Sequence, residues 1–240
     1  METSLVRVPL ADRRESKLWH QTYACDAETR RRLRAFPRKL RLLGLDQASR
    51  DAAVLDLCCG HAEALCCLNE MGFSDLCGVD LQIDEDLASD HRFQVHCGDA
   101  LHTPYPDARF DWVLNIHSMH HFATVENVRQ FLRESWRLLK PGGRLGIVDF
   151  PASPQIRLAF WFFRQNRFLW TPYLKRFARL LQEEWHFLKD YLPEWHKVRA
   201  LLLDGPFEVE RRTRRLFYSY LTLRKPLCPH RSPGLPADFC

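Results

Sequence analysis

Hydrophobic and polar positions follow two rhythms along this chain. In the centre, short apolar runs alternate with amphipathic stretches. Ala53-Val54-Leu55-Asp56-Leu57, Leu76-Cys77-Gly78-Val79-Asp80, Arg92 to Cys97, Phe110 to Ile116 and Arg144 to Phe150 read as five strands. Between them Ala62 to Met71, Glu85 to Ser89 and Val125 to Leu139 carry helical spacing, the first ended by Gly72 and the last by Lys140-Pro141-Gly142-Gly143. Apolar strands alternating with helices predict an α/β fold with a parallel, doubly wound sheet. Upstream, Glu15 to Leu43 has helical spacing, and Pro37 is expected to divide it into two helices. Downstream, residues 154–203 read as helices dense in Phe, Trp, Leu and Arg. Phe207 to Thr213 and Leu216 to Leu223 read as two strands joined by a tight basic turn at Arg214 and Arg215, and Pro226 to Cys240 as a loose tail.

Composition narrows the function classes. The 240 residues suit one large domain, or one with an appendage, at about 150 residues per domain. A hydrophobic share of 46% and a charged share of 27% match ordinary globular proteins. No apolar run approaches the ~20 residues of a membrane helix. The nine cysteines form no CxxC pair, so no metal site is expected. The start of the chain lacks an apolar signal region, and a reducing, cytoplasmic setting is expected. The net charge of +5 is too mild to indicate nucleic-acid binding, but it hides a pattern. Residues 1–50 sum to +6, residues 51–150 to −9 and residues 151–225 to +8. An anionic membrane or substrate would therefore meet the flanks.

The acidic centre carries the candidate chemistry. In Val54-Leu55-Asp56-Leu57-Cys58-Cys59-Gly60-His61-Ala62 a strand ends in an acid, a tight turn follows and a helix begins. Such a turn brings backbone N–H groups close to a ligand. Gly60 is its only glycine, too few for a dinucleotide fingerprint, and no GKS or GKT follows for a P-loop. Cys58 has a side chain, so an ordinary backbone conformation is expected there. Asp80, followed by Leu81, ends the next strand, where a carboxylate can accept hydrogen bonds from a ribose diol. Asp99, followed by Ala100, ends the third and can take a hydrogen bond from an adenine amino group. Three acids at consecutive strand ends face the crevice where such sheets bind ligands.

These residues resemble the class I S-adenosylmethionine-dependent methyltransferases of the small-molecule, "type 11" group. Asp56-Leu57-Cys58-Cys59-Gly60 is similar to the family's first motif, with Cys58 and Ala62 where glycine is usual. Gly78-Val79-Asp80 resembles its ribose-binding acid and Gly98-Asp99-Ala100 its adenine-binding motif. Phe110-Asp111-Trp112-Val113-Leu114 resembles its fourth strand, and Leu138-Leu139-Lys140-Pro141-Gly142-Gly143-Arg144-Leu145 the turn before its fifth. The resemblance covers about residues 50–150. It implies a Rossmann-like sandwich whose seven-stranded sheet is mostly parallel with the last strand antiparallel. It implies S-adenosyl-L-methionine as cofactor, held by Asp56, Cys58, Gly60, Asp80, Leu81, Asp99, Ala100 and Asn115. The organisation then reads as a helical leader (1–50), a cofactor-binding core (51–150), a helical cap (151–206), two closing strands (207–225) and a tail (226–240).

Asn115-Ile116-His117-Ser118-Met119-His120-His121 follows the fourth strand, where the resembling family faces the methyl group and its acceptor. His120 and His117 are candidate general bases there, with packing the equally weighted alternative. Cys58/Cys59 and Cys66/Cys67 read as small hydrophobes rather than thiol chemistry. No NPPY or DPPY of a nucleic-acid methyltransferase follows the fourth strand. Phe160, Trp161 and Trp170, interspersed with arginines, either pack on the sheet, line an apolar acceptor pocket or rest on an anionic membrane. Trp19 and Tyr23 are candidates to close the other side of the cofactor. The expected activity is methyl transfer to a small, lipophilic or aromatic acceptor, quinone- or phenol-like. Rival classes are a non-catalytic cofactor-binding protein of the same fold and an RNA or protein methyltransferase.

Overall fold

The computed structural model describes residues 36–122, 124–164, 172–215 and 218–227. Helix α1 covers 36–43, and Pro37 falls in its first described turn. The chain continues through β1 (Val54–Leu57), α2 (Glu63–Glu70), β2 (Leu76–Asp80), α3 (Glu85–Ala88), β3 (Gln94–Cys97) and β4 (Phe110–Ile116). A 3-10 turn (Met119–His121), α4 (Val125–Leu138), β5 (Leu139–Asp149), α5 (Pro154–Arg164), α6 (Pro172–Leu203), β6 (Glu208–Arg214) and β7 (Ser219–Arg224) complete it. The strands form one seven-stranded sheet ordered β3-β2-β1-β4-β5-β7-β6. β7 runs antiparallel to both β5 and β6, and the pairs from β3 to β5 are parallel. This is the expected mixed sheet.

Burial on both faces explains the continuous apolar runs. Leu55, Leu57, Val113, Leu145 and Ile147 enter one core with α4 and α6. Val54, Trp112, Leu114 and Val148 enter the other with α1 and α2. Helix α4 starts at Thr124, whose hydroxyl accepts from the Asn127 N–H at 3.1 Å.

Two local expectations change. Lys140-Pro141-Gly142-Gly143 does not precede β5 but interrupts it. Leu139 already pairs with Phe110, and Arg144 resumes opposite Trp112. Lys225 pins the looped-out residues, accepting from Gly142 N at 2.9 Å and donating to Gly143 O at 2.8 Å. The closing hairpin turns two residues later than expected: β6 runs on to Arg214, β7 begins only at Ser219, and Arg215 N donates to Tyr218 O at 2.9 Å. Among the described residues, no helix is long and apolar enough to cross a membrane.

Candidate functional site

The parallel register brings the strand ends together. Asp56 lies opposite Gly78, and Asp80 opposite Cys97. The turn after β1 hangs on β2, with Cys58 N and Cys59 N both donating to Val79 O, at 2.8 and 3.1 Å. Cys58 has φ 63°, Gly60 φ 53° and Ala62 φ 57°. The expectation of ordinary backbone at Cys58 is therefore wrong. All three positions adopt the left-handed conformation, although only one is glycine. For an L-residue that costs about 1–2 kcal/mol. The paired N–H bonds to Val79, with Ala62 N to Cys59 O at 2.8 Å, hold the shape against that cost.

Asp80 receives the turn. Its Oδ2 accepts from Gly60 N at 2.8 Å and its Oδ1 from Gln82 N at 3.2 Å. Asp56 is buried, and its Oδ1 has no hydrogen-bond partner. Burial first, then Glu63 and Asp80, pushes its carboxyl well above the usual range. Asn115 is fully buried; its Nδ2 donates to Leu57 O at 3.1 Å while its Oδ1 has no partner. Asp99 is 50% exposed and accepts from Leu101 N at 2.8 Å. Leu81 is exposed and Ala100 buried. Burial, followed by the charges of Asp80 and Asp56, pushes the Cys58 thiol up.

The histidines separate. His117 has φ 63° and donates its N–H to Val148 O at 2.7 Å. Its ring packs against Tyr218, centroids 4.4 Å apart. His120 is 2% exposed, and its Nδ1 lies 2.8 Å from Oδ1 of Asp149, itself 3% exposed. Asp149 Oδ2 also accepts from His120 N at 3.1 Å, and its Oδ1 from Phe150 N at 2.6 Å. A carboxylate accepts, so this geometry suits a hydrogen on Nδ1 and turns Nε2 away from Asp149. Tyr191 of α6 stands beside this pair, ring centroids 6.3 Å apart.

Sequence reasoning missed Glu63, Asp149 and Tyr191. Asp149 had a signal, an acid ending a strand as Asp56 and Asp80 do. Glu63 and Tyr191 had none, since their burial depends on packing. Trp161 is 60% exposed on α5. Phe160 lies on α5, and its side chain is outside the described part. Trp19, Tyr23 and Trp170 lie outside the described residues. Among the described residues, no group of acids, histidines and cysteines has a metal-binding arrangement.

Residues 55–147 match the family model described as a methyltransferase domain. The chain is 34% identical over 143 residues to a demethylmenaquinone methyltransferase of Lactobacillus johnsonii, covering 53% of each chain. It is 32% identical over 123 residues to the 27-O-demethylrifamycin SV methyltransferase of Amycolatopsis mediterranei, covering 48% of this chain and 44% of that one. It thus spans about half the length of these relatives. Its fold is similar to 1,6-didemethyltoxoflavin-N1-methyltransferase of Burkholderia thailandensis, whose structure holds S-adenosylhomocysteine. That match has TM-score 0.56 and 17% identity, covering 94% of this chain and 93% of the other. It is also similar to PH0226 of Pyrococcus horikoshii, with TM-score 0.55, 23% identity and coverage of 87% and 98%.

Proposed function

We propose, from the match of residues 55–147 to a methyltransferase domain, that the chain is a class I methyltransferase and moves a methyl group from S-adenosylmethionine to a small lipophilic or aromatic acceptor. The observation that carries this is the row of acceptors at one edge of the sheet. Buried Asp56 Oδ1 and Asn115 Oδ1 lack donors, beside the Asp80 carboxylate at the end of the next strand. A ligand rich in hydroxyl and ammonium donors fits that demand.

When bound, the cofactor supplies an electrophilic sulfonium methyl. Asp80 would take the ribose diol, with Gly60 N holding its carboxylate in place. Asp56 would face the ammonium end, and Asn115, fixed by its bond to Leu57 O, would face a further donor. Asp99 and Leu81 would flank the adenine, with Cys58 and Ala100 in the walls. His120, oriented by Asp149, would take a proton at Nε2 from an acidic acceptor. His117 is held by Val148 and Tyr218 and is the weaker candidate base. Much of the rate would come from holding acceptor and methyl in line.

Relatives named for demethylmenaquinone and demethylrifamycin support a quinone- or phenol-like acceptor. The exposed Leu158, Trp161 and Phe162 of α5 favour additional peripheral contact with an anionic bilayer, tested by sedimentation with phosphatidylserine vesicles. Calorimetry tests the central reading. The protein binds S-adenosylhomocysteine, and Asp80→Ala weakens that by about 1–3 kcal/mol, roughly 5- to 150-fold. Absence of binding by the intact protein overturns the reading. Binding without methylation of any component of a cell extract supports the non-catalytic rival.

A further inference from the structure

The far end of the sheet holds a second feature. A narrow cleft runs between α6 and the β5–β7–β6 surface, lined by Met119, Asp149, Tyr191, Trp195, Arg199 and Arg212, among others. The register explains its composition. Ile147, Leu221 and Arg212 form one row across three strands, and Asp149 and Ser219 stand in the next row on that face. Tyr191, Trp195 and Arg199 recur at four-residue spacing along α6, so one helix face supplies the opposite wall.

The polar groups are unevenly satisfied. Nearby Arg144 is held by Glu210 at 2.8 Å, and Arg211 by Gln47 at 2.6 Å. Arg199 and Arg212 come from different elements, line the same cleft, and have no ion-pair or hydrogen-bond partner among the described residues. Tyr191 is 5% exposed, and its hydroxyl has no partner. A buried hydroxyl in that state is uncommon. Asp149, the acid in the lining, is engaged by His120 and Phe150. Its charge marks the end that an anion avoids and the end nearest the histidine.

We propose that this cleft seats the methyl acceptor and selects a molecule with a flat apolar body and a carboxylate or similar anionic group. The inference rests on the methyl-transfer reading. The anion lies on Arg199 and Arg212, the body against Trp195, and the reacting end beside Tyr191 and His120. Guanidinium groups suit carboxylates because they offer parallel N–H donors. Tyr191 gives its hydrogen bond to a polar atom at the reacting end.

The test uses the full chain saturated with S-adenosylhomocysteine, titrated calorimetrically with 6-hydroxy-2-naphthoate and neutral 6-hydroxy-2-naphthamide, whose hydroxyl is the polar atom at the reacting end. The acid binds at least about tenfold more tightly than the amide. Arg199→Ala and Arg212→Ala each weaken only the acid, and together they abolish the difference between the probes. Tyr191→Phe weakens both probes alike. Both arginines are exposed, so their variants fold and keep the wild-type affinity for S-adenosylhomocysteine. Equal affinity for acid and amide, an unaffected double arginine variant, or no binding of either probe overturns the proposal. Failure of the wild type to bind S-adenosylhomocysteine strikes the methyl-transfer reading instead. The two titrations, repeated without it, still decide the anion preference.

Discussion

Asp149→Asn is the substitution that most directly tests the buried pair behind the candidate base. Three N–H groups converge on the wild-type carboxylate, His120 Nδ1 at 2.8 Å, His120 N at 3.1 Å and Phe150 N at 2.6 Å. Asparagine has one oxygen. Placed at the Oδ1 position, it keeps His120 Nδ1 and Phe150 N but turns its NH₂ towards the His120 backbone N–H, donor against donor. The site excludes water, with His120 2% and Asp149 3% exposed, so solvent cannot repair the mismatch. Leaving one buried N–H unsatisfied costs about 1–3 kcal/mol. For a chain of this size each kcal/mol lowers Tm by about 2–4 °C, so a drop of roughly 2–12 °C is expected. Thermal unfolding followed by circular dichroism measures it. A Tm equal to or above that of wild type refutes the reasoning. The double variant His120→Leu/Asp149→Leu costs less than the sum of its single changes, because neither partner is left stranded.

Other outcomes follow from the same geometry. The Asp56 carboxyl is raised by burial, so between its unfolded value of about 4 and its raised folded value the unfolded chain loses the proton first, and stability falls as pH rises. Asp56→Asn therefore raises the Tm of the cofactor-free protein at pH 7, with the gain vanishing below about pH 4, while calorimetry finds weaker S-adenosylhomocysteine binding; an unchanged Tm contradicts the burial argument. A Cβ on Gly78 would stand 2.8 Å from Cys59 Sγ and 2.9 Å from Leu65 Cδ1, so Gly78→Ala lowers stability by about 1–3 kcal/mol in urea titration. Among the described cysteines Cys97 alone is exposed. Mass spectrometry after brief iodoacetamide treatment finds it modified before Cys59, which is buried with its thiol pushed up.

Much of the core was legible because its physics is local. β1, β2 and β4 are buried on both faces, and only continuous apolar runs satisfy that. The acids at 56 and 80 were legible because a parallel sheet gathers its strand ends on one edge. Cys58 was misread because glycine preference was treated as a requirement. A pair of long-range hydrogen bonds to Val79 enforces the conformation, and nothing near Cys58 in sequence reports them. Lys140-Pro141-Gly142-Gly143 was read as the end of a helix. Its pairing with Lys225 lies more than eighty positions along the chain. The link between His120 and Asp149, and the burial of Tyr191 beside them, likewise exist only once α6 has closed on the sheet.

The position of β7 between β5 and the edge strand β6 constrains how the chain can be made. Its β5 partner ends at Asp149, but β7 begins only at Ser219, about 70 residues later. At roughly 5–20 residues per second on the ribosome, β5 spends about 4–14 s as an open edge, with Ile147 and Val148 uncovered on that side. The nascent chain is therefore most vulnerable to intermolecular strand pairing while α5 and α6 are being synthesised. A pause within that interval lowers the yield of folded protein without altering one residue of the finished molecule.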